Sequence, residues 1–300
     1  MTDGYLHAGY AAALAEWGTP WPLQHAGGWA LVRAIPDTTM YDAMGCYPLL
    51  ACTQWRGLAD DLNEAARSLV AFAAVIDPLA NVPEAGLRAA FPDVLRHFKD
   101  HFIVDLHRHE PVGSAEHRRK ARRAASRVDV EVGASAEALL PAWNELYAEL
   151  TRRHAIQGIR EFSPSSFAAQ LRVPGLTAIR ALVGGATAGM TLWAEHGGNV
   201  YYHLGAQNQQ GYAVASSYVM FDVAIRHFRE RGCRLLSLGA GAGVTHDVSD
   251  GLSRFKRGWA TGTMPALFGG RILRADDYAA LGSTRAATAY FPIYRAGEFG

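Results

Sequence analysis

The fold is decided by residues 199–259, which read NVYYHLGAQNQQGYAVASSYVMFDVAIRHFRERGCRLLSLGAGAGVTHDVSDGLSRFKRGW. The alternating run 200–204 predicts a strand with two different faces, and residues 213–231 have the apolar spacing of an amphipathic helix. A short apolar run at 235–238 predicts a second strand that leads into a glycine-rich loop. The order strand, loop, helix and strand, followed by a Phe-Lys pair at 255–256, indicates one unit that carries the functional residues.

The composition is that of an ordinary globular protein of 300 residues, enough for one large domain or two small ones. Its 29 Lys and Arg balance 28 Asp and Glu, so the overall charge favours neither nucleic acid nor a membrane. No apolar run approaches the ~20 residues that cross a bilayer, and the first residues do not have the pattern of a secretion signal. The three cysteines, Cys46, Cys52 and Cys233, predict a reducing compartment, so a cytoplasmic location is expected.

Strands and helices alternate along the rest of the chain. Upstream, the continuous apolar run 69–76 predicts a buried strand, residues 94–100 a short helix and residues 102–106 another strand. Downstream, residues 136–154 predict a helix, and a hairpin is expected to turn at Gly184-Gly185. This alternation predicts an α/β or α+β protein with a mixed sheet.

A basic segment at 117–127, HRRKARRAASR, carries six Lys and Arg side chains and no acid. One interpretation is a solvated helix that links two domains. The other is a phosphate contact, because guanidinium groups pair bidentately with phosphate oxygens. The candidate phosphate-binding residues of this segment and of the region around the Phe-Lys pair are Arg118, Arg119, Arg122, Arg123, Arg254 and Arg257.

The element order over residues ~115–281 resembles the GNAT acyltransferase fold. Three phrases, YYHLGAQNQQGYAVAS, RGCRLLSLGAGAG and DGLSRFKRGW, resemble the FemABX-type branch, which includes the aminoacyl-tRNA-dependent peptidyltransferases. The resemblance implies an α+β fold of tandem GNAT-like domains, each with a mixed, mostly antiparallel sheet flanked by helices. Residues 1–113 would form a reduced N-terminal GNAT-like domain, and residues 114–300 a C-terminal GNAT acyltransferase domain.

The same resemblance implies an N-acyltransferase that moves an aminoacyl group from aminoacyl-tRNA to an amine of a peptide, a natural product or a cell-wall precursor. No cofactor is expected; the alternatives are an acyl-coenzyme A donor and a catalytically inactive binding module. By family likeness, Phe255 and Lys256 would line the transfer site. Phe255 would stack on the donor or shape the pocket, and Lys256 would stabilise the carbonyl oxygen that becomes negative. The sequence leaves the oligomeric state open.

The glycine-rich loop at Gly239, Gly241 and Gly243 resembles a nucleotide-binding turn. Such folds build further strand-helix units after the loop, but only 57 of the 300 residues follow Gly243. Ser237 also replaces the acid expected on the strand. The sequence therefore favours a loop beside the active site over a nucleotide cofactor site.

The turn at 208–213 occupies the position where GNAT enzymes hold the pyrophosphate of acyl-coenzyme A. A loop followed by a helix N-terminus presents backbone N–H groups to an anion. Gly211, Tyr212 and Ala213 are therefore candidate substrate contacts, although Asn208 stands where Gln or Arg is usual. The alternative is a glycine-bearing connection between strand and helix.

Polar residues near these elements are further candidates. His203 has a side chain suited to proton transfer, and Tyr201 is a candidate substrate contact. Strict alternation predicts that both share a strand face with Gly205. A strand histidine of this kind is more often structural. Asp247 and Asp250, before the Phe-Lys pair, are candidates to orient the amine. The cluster at 107–110 lacks metal-ligand spacing, so no metal is expected.

Overall fold

The computed structural model describes residues 3–241, 250–283 and 288–298. The chain forms two compact units. One consists of Met1–Gly4 and Asp100–Met264, and is called the 100–264 unit below. The other consists of Tyr5–Lys99 and Pro265–Gly300, and is called the 5–99 unit. The division into domains at residues 113 and 114 that the sequence predicts is a different partition, and it stays a prediction.

The 5–99 unit is built on the strand order β1-β2-β3-β4-β11. β3 and β4 are parallel, and the other neighbouring pairs are antiparallel. Its core includes the stacked rings of Phe72 and Phe91 together with Leu58 and Leu62. The elements before residue 94 are α1 (Ala8–Ala13), β1 (Thr19–Leu23), β2 (Gly28–Ala34), β3 (Tyr41–Gly45), α2 (Leu58–Ala65), β4 (Leu69–Val75) and α3 (Glu84–Ala90).

The 100–264 unit has the strand order β5-β10-β9-β8-β7-β6. Within the described residues, β10 and β9 are parallel, and the other neighbouring strands in this order are antiparallel. The elements in chain order are β5 (Val94–Asp105), α4 (Ala115–Ala125), β6 (Asp129–Val132), α5 (Ala136–His154), α6 (Pro164–Gln170), β7 (Leu176–Val183), β8 (Ala186–His196), β9 (Asn199–Gln207), α7 (Gln209–Val214), α8 (Ser216–Glu230), β10 (Leu235–Ser237), α9 (Gly251–Trp259), β11 (Gly262–Ile272) and α10 (Ala275–Gly282). The chain passes between the two units within β5 and within β11.

Helices cover both faces of the sheet in the 100–264 unit. On one face, α4 and α8 bury Ala121 and Phe221 against Trp193 and other strand residues. On the other face, His203 of β9 contacts Gln170 of α6. The predicted α+β class, with a mostly antiparallel sheet flanked by helices, is therefore confirmed. No helix in the described part of the chain is long and apolar enough to cross a bilayer.

The helix expected at 94–100 is absent, because these residues form the first half of the strand β5. The side chains of this half find their partners far along the chain. Phe98 packs on the ring of Phe268 with centroids 6.3 Å apart, and the Arg96 guanidinium lies 5.3 Å from the same ring. Packing between residues distant in sequence thus overrides the local helical spacing.

A buried ion pair fastens the C-terminal segment within the 5–99 unit. Asp42 on β3 is fully buried and accepts two hydrogen bonds from Arg295, at 2.5 Å from Nε and 2.9 Å from Nη2. The Arg33 side chain also lies 3.6 Å from the Asp42 carboxylate. Arg33 also pairs with Glu298 at 2.7 Å. Because a carboxylate out of water is costly unless it is paired, Asp42 depends on Arg295 staying in place.

We expect Arg295→Met to lower the free energy of unfolding by about 3–5 kcal/mol, because it leaves the Asp42 carboxylate buried without its main partner. Equilibrium urea unfolding measures this. The double variant Asp42→Leu with Arg295→Met should lose less than the single one. The control is Arg88→Met, which removes an exposed pair with Glu84 and should change stability by less than about 0.5 kcal/mol. Equal losses in the Arg295 and Arg88 variants would contradict the assignment.

Candidate functional site

The central feature of the 100–264 unit is the point where β9 and β10 part, called the fork below. The parallel pairing between these strands consists of Leu236 with Val200 and Ser237 with Tyr201. β10 also pairs with β5, and beyond Ser237 the chain continues to pair with β5. Leu238 donates to the Phe102 carbonyl at 2.8 Å, and the Phe102 N–H donates to Gly239 at 3.1 Å. β9 instead continues along β8 as far as residue 207. The two parallel strands therefore separate immediately after Ser237.

A β-bulge in β9 rearranges the side chains next to the fork. Leu204 pairs with Leu192 and Tyr202 with Trp193, so His203 is the extra residue. Because of it, Gly205 lies on the same face as Tyr202, where a Cβ on Gly205 would fall 2.2 Å from the Tyr202 hydroxyl. The expectation that Gly205 shares a face with His203 is therefore wrong, since strict alternation does not hold across a bulge.

Lys256 lies at the fork with its side chain almost fully buried. Lys256 is 5% exposed, and its Nζ donates a hydrogen bond to the Ala240 carbonyl at 2.6 Å. The ammonium is 5.4 Å from the centroid of the Tyr202 ring. A Cβ built on Gly239 would lie 3.4 Å from Nζ. A cation with this little water around it interacts strongly with any negative charge that develops beside it.

Asp250 begins the helix that carries Lys256. Its carboxylate accepts hydrogen bonds from the Leu252 and Ser253 amides at 2.7 and 2.9 Å, and from Ser253 Oγ at 2.5 Å. Partial burial acts to raise the pKa of Asp250, but the Ser253 and Leu252 hydrogen bonds and the charge of Lys256 outweigh it and lower that pKa. The geometry thus gives Asp250 the task of an N-cap for α9. Asp247, the other predicted acid, lies outside the described residues, as does Gly243.

Phe255 packs inside an aromatic cluster. Its ring centroid is 5.0 Å from that of Tyr218, 4.8 Å from Phe221 and 5.7 Å from His117. The predicted contact of this ring with a donor stays a prediction. The backbone carbonyl of Phe255 accepts a hydrogen bond from His117 Nε2 at 3.0 Å. α9 is therefore held against its neighbours both by the ring and by the main chain of Phe255.

His117 is a residue of this region that was not predicted from the sequence as a site residue. It is buried between α4 and α9, where burial is the main cause that lowers its pKa. Its Nδ1 lies 2.9 Å from Ser114 Oγ, and its ring meets that of Trp259 edge-on. A signal was present, since His117 shares the inner face of an otherwise charged helix with Ala121 and Ala124, at helical spacing.

His203 and Tyr201 lie on the sheet face opposite to Lys256. The Tyr202 ring packs on Phe221 of α8, whereas His203 Nε2 lies 2.9 Å from Gln170 Oε1 of α6. Because an amide oxygen only accepts, Nε2 carries the proton in this contact. Burial lowers the pKa of His203 to about 3. Tyr201 stacks on His196 at 4.4 Å. The structure therefore does not bring these two residues to the side of the sheet on which Lys256 lies.

The turn at 208–213 uses its own polar groups internally. The side-chain oxygen of Asn208 accepts a hydrogen bond from the Gly211 amide at 3.0 Å. The backbone carbonyl of Asn208 accepts one from the Tyr212 amide at 3.1 Å. A Cβ on Gly211 would lie 2.2 Å from the Ala188 carbonyl oxygen, so chain packing requires the glycine. Tyr212 is exposed with the Arg153 guanidinium 4.6 Å from its ring, and Ala213 is exposed. Asn208 thus acts as an N-cap.

The basic segment is the helix α4, which packs on α8 through its apolar face. It is therefore an integral helix of the 100–264 unit. Arg118 is half-buried and donates to the Gly113 carbonyl, whereas Arg119, Arg122 and Arg123 are exposed. The remaining two predicted phosphate-binding residues are Arg254 and Arg257, both exposed on α9.

Known proteins resemble this chain in its fold. Residues 113–257 match the family described as an acetyltransferase (GNAT) domain. The crystal structure of FemX superposes with a TM-score of 0.66 at 14% identity, covering 91% of this chain and 93% of FemX. The chain therefore has a GNAT-like fold.

Two further solved structures are similar to most of the chain. L-PGS from Bacillus licheniformis has a TM-score of 0.58 at 16% identity, covering 90% of this chain and 93% of that one. The C-terminal domain of a proposed lysylphosphatidylglycerol synthetase from Agrobacterium fabrum has 0.60 at 16%, covering 90% and 89%. No curated protein sequence matches this chain. The predicted resemblance to the FemABX-type branch is thus confirmed at the level of the fold.

The buried His203 generates a pH prediction. Between its ordinary pKa of 6.5 and the folded value of about 3, the unfolded chain binds a proton that the folded chain does not. The free energy of unfolding therefore falls as the pH falls below 6.5, by about 2 kcal/mol at pH 5 from this group alone. In His203→Gln, which keeps a donor for Gln170, the loss between pH 7 and pH 5 should shrink by that amount.

Urea unfolding at the two pH values measures the difference. The control is His107→Gln, since His107 is exposed and its replacement should leave the pH dependence close to that of the wild type. An unchanged pH dependence in His203→Gln would contradict the prediction.

Proposed function

We propose that this protein is an N-acyltransferase that moves an aminoacyl group from aminoacyl-tRNA to an amine acceptor. The observation that carries the proposal is the buried Lys256 ammonium at the fork of a GNAT-type fold. In this reaction the amine attacks the ester carbonyl, the C–N bond forms and the C–O bond to the ribose breaks. Lys256 stabilises the negative oxygen of the tetrahedral intermediate. The proposal includes a cytoplasmic location, where aminoacyl-tRNA is available.

Two features of the 100–264 unit support a tRNA donor. The Gly211 amide, which a pyrophosphate would need, is already bonded to Asn208. In addition, α4 exposes Arg119, Arg122 and Arg123 on the helix whose buried His117 binds the Phe255 carbonyl. Arginines on one helix form a natural contact for successive phosphates of a nucleic acid backbone.

A second candidate is transfer from acyl-coenzyme A. It is favoured by the match of residues 113–257 to an acetyltransferase domain and by the parting of two parallel strands, which leaves a place for an extended donor arm. The acceptor can be an amine of a peptide, a natural product or a cell-wall precursor. A third outcome, a binding module without activity, would give donor binding and no product.

The donor is decided by offering a mixture of aminoacyl-tRNAs or acetyl-coenzyme A together with a panel of amines: a dipeptide, lysine amide and an amino sugar. Amide formation, followed by mass spectrometry, should occur with aminoacyl-tRNA. Product from acetyl-coenzyme A alone would replace the first proposal by the second. Replacing Gly211 by Val cannot test whether its amide binds a pyrophosphate, because the new side chain would collide with the Ala188 carbonyl.

We expect Lys256→Met to lower kcat by about 10²–10³-fold, because it removes the charge that stabilises the oxyanion. Single-turnover rates with the donor identified above measure the effect. Arg226→Met is the control, since this exposed cation on α8 pairs with Asp222 and is not among the predicted phosphate-binding residues, and it should keep most of the rate. A wild-type rate in folded Lys256→Met would remove Lys256 from the mechanism.

The exposed arginines of α4 should make tRNA binding sensitive to salt. Replacing Arg119 and Arg122 by Gln should weaken binding and reduce the slope of log Kd against log salt by about one to two units, because fewer counterions are released. Fluorescence titration with tRNA at several salt concentrations measures the slope. Arg226→Gln on α8, which is exposed and paired with Asp222, is the control. An unchanged slope in the double variant would exclude these two arginines from the donor contact.

A further inference from the structure

The fork contains a serine-histidine pair that the proposed chemistry has not used. Ser237 is the last residue of β10 that pairs with β9, and it is 2% exposed. Its Oγ lies 3.1 Å from Nδ1 of His101 on β5. The Gly239 amide donates to the same Oγ at 3.3 Å. The hydroxyl is therefore held from two sides at the point where the strands part.

The hydrogen bonds allow an arrangement of protons in which this pair can accept one more. Because the Gly239 N–H donates to Ser237 Oγ, the hydroxyl can direct its own hydrogen at His101 Nδ1. The ring then carries its proton on Nε2, and Nδ1 is the acceptor. A hydroxyl whose hydrogen is shared with an imidazole nitrogen can accept a second proton as it passes its own on. His101 is half-buried, so the imidazole can return that proton to solvent.

The pair is adjacent to Lys256 through a single glycine. Gly239 has a φ of 71°, in the left-handed region, and its amide binds Ser237. A Cβ on the same residue would lie 3.4 Å from Lys256 Nζ, and Nζ binds the carbonyl of the next residue, Ala240. Ser237 pairs with Tyr201, so its side chain lies on the sheet face opposite to Lys256. An amine placed against the hydroxyl and a carbonyl beside the ammonium would therefore approach each other through the gap between the strands.

We propose that Ser237 and His101 form the proton-accepting pair that activates the acceptor amine, an inference that rests on the proposed aminoacyl transfer. Most amines are protonated at pH 7, since the pKa of a lysine amine is about 10.4. The ammonium gives one proton to Ser237 Oγ while the Ser237 hydrogen moves to His101 Nδ1. The freed amine then forms the C–N bond, the ester C–O bond breaks, and the second proton passes from nitrogen to the leaving ribose oxygen.

Two other histidines of the 100–264 unit are less suited to this role. His203 has its Nε2 engaged by Gln170. His117 has one ring nitrogen on the Phe255 carbonyl of α9 and the other near Ser114 Oγ, the N-cap of α4, so both nitrogens are engaged. His101 is the one of these three whose ring nitrogen contacts a hydroxyl at the fork.

The test compares two acceptors in single-turnover transfer at pH 7: the fastest amine of the panel above, and hydroxylamine, which is largely unprotonated at this pH. His101→Asn and Ser237→Ala should each lower transfer to the amine by about 10²–10³-fold, and the double variant should lose little more. Transfer to hydroxylamine should stay within about threefold of the wild type, because this acceptor needs no base to free it. Ser237→Thr, which keeps the hydroxyl, should restore most of the rate with the amine.

Each other result has a definite meaning. Equal losses with both acceptors, or no loss with the amine in folded His101→Asn, would overturn the proton-accepting role. An acyl group found on Ser237 by mass spectrometry when the amine is withheld would also overturn it, in favour of a covalent intermediate. Wild-type protein that transfers to neither acceptor would instead refute the underlying function. Lys256→Met should lose both activities together, which separates the oxyanion contact from the proton-accepting pair.

Discussion

The structure depends on the end of pairing between β9 and β10 at Ser237. Up to this residue β10 pairs with both β5 and β9; beyond it, Leu238 and Gly239 keep their bonds to Phe102 of β5 while β9 follows β8. Backbone groups must find partners, and here each strand finds them on its outer neighbour. The inner sides of the two parallel strands are therefore released at one place. Lys256 and the Ser237–His101 pair both lie at this place.

Holding a nearly buried ammonium there requires a rigid helix, since removing a charge from water is costly unless its surroundings are fixed. α9 is held at both ends and in the middle. Asp250 caps its start, His117 binds the carbonyl of Phe255, and the Gly258 carbonyl accepts from the Ser114 amide at 2.7 Å. α4 therefore contributes to the site through its buried face, while its arginines lie on the opposite side.

Several residues whose side chains are common in catalytic sites have a structural role in this fold. His203 is an uncharged donor to Gln170, Asp250 begins a helix, and Gly211 makes room for the Ala188 carbonyl. In each case the sequence shows a polar or glycine residue close to the functional region along the chain. What it could not supply was the direction of the side chain. A single bulge at His203 reverses the facing of the following residues, and no local sequence signal marks it.

The sequence by itself determined the α+β class, the order of elements around 199–259, the amphipathic helix α8 and the presence of a Phe-Lys pair at the end of the unit. These follow from apolar periodicity and from short phrases, which are local properties. Only the tertiary structure decided that 94–100 is strand, that Phe255 belongs to an aromatic cluster while Lys256 points to the fork, and that His101 meets Ser237 across 136 positions of the chain. Such contacts arise from pairing and packing between distant residues, which periodicity along the chain does not encode.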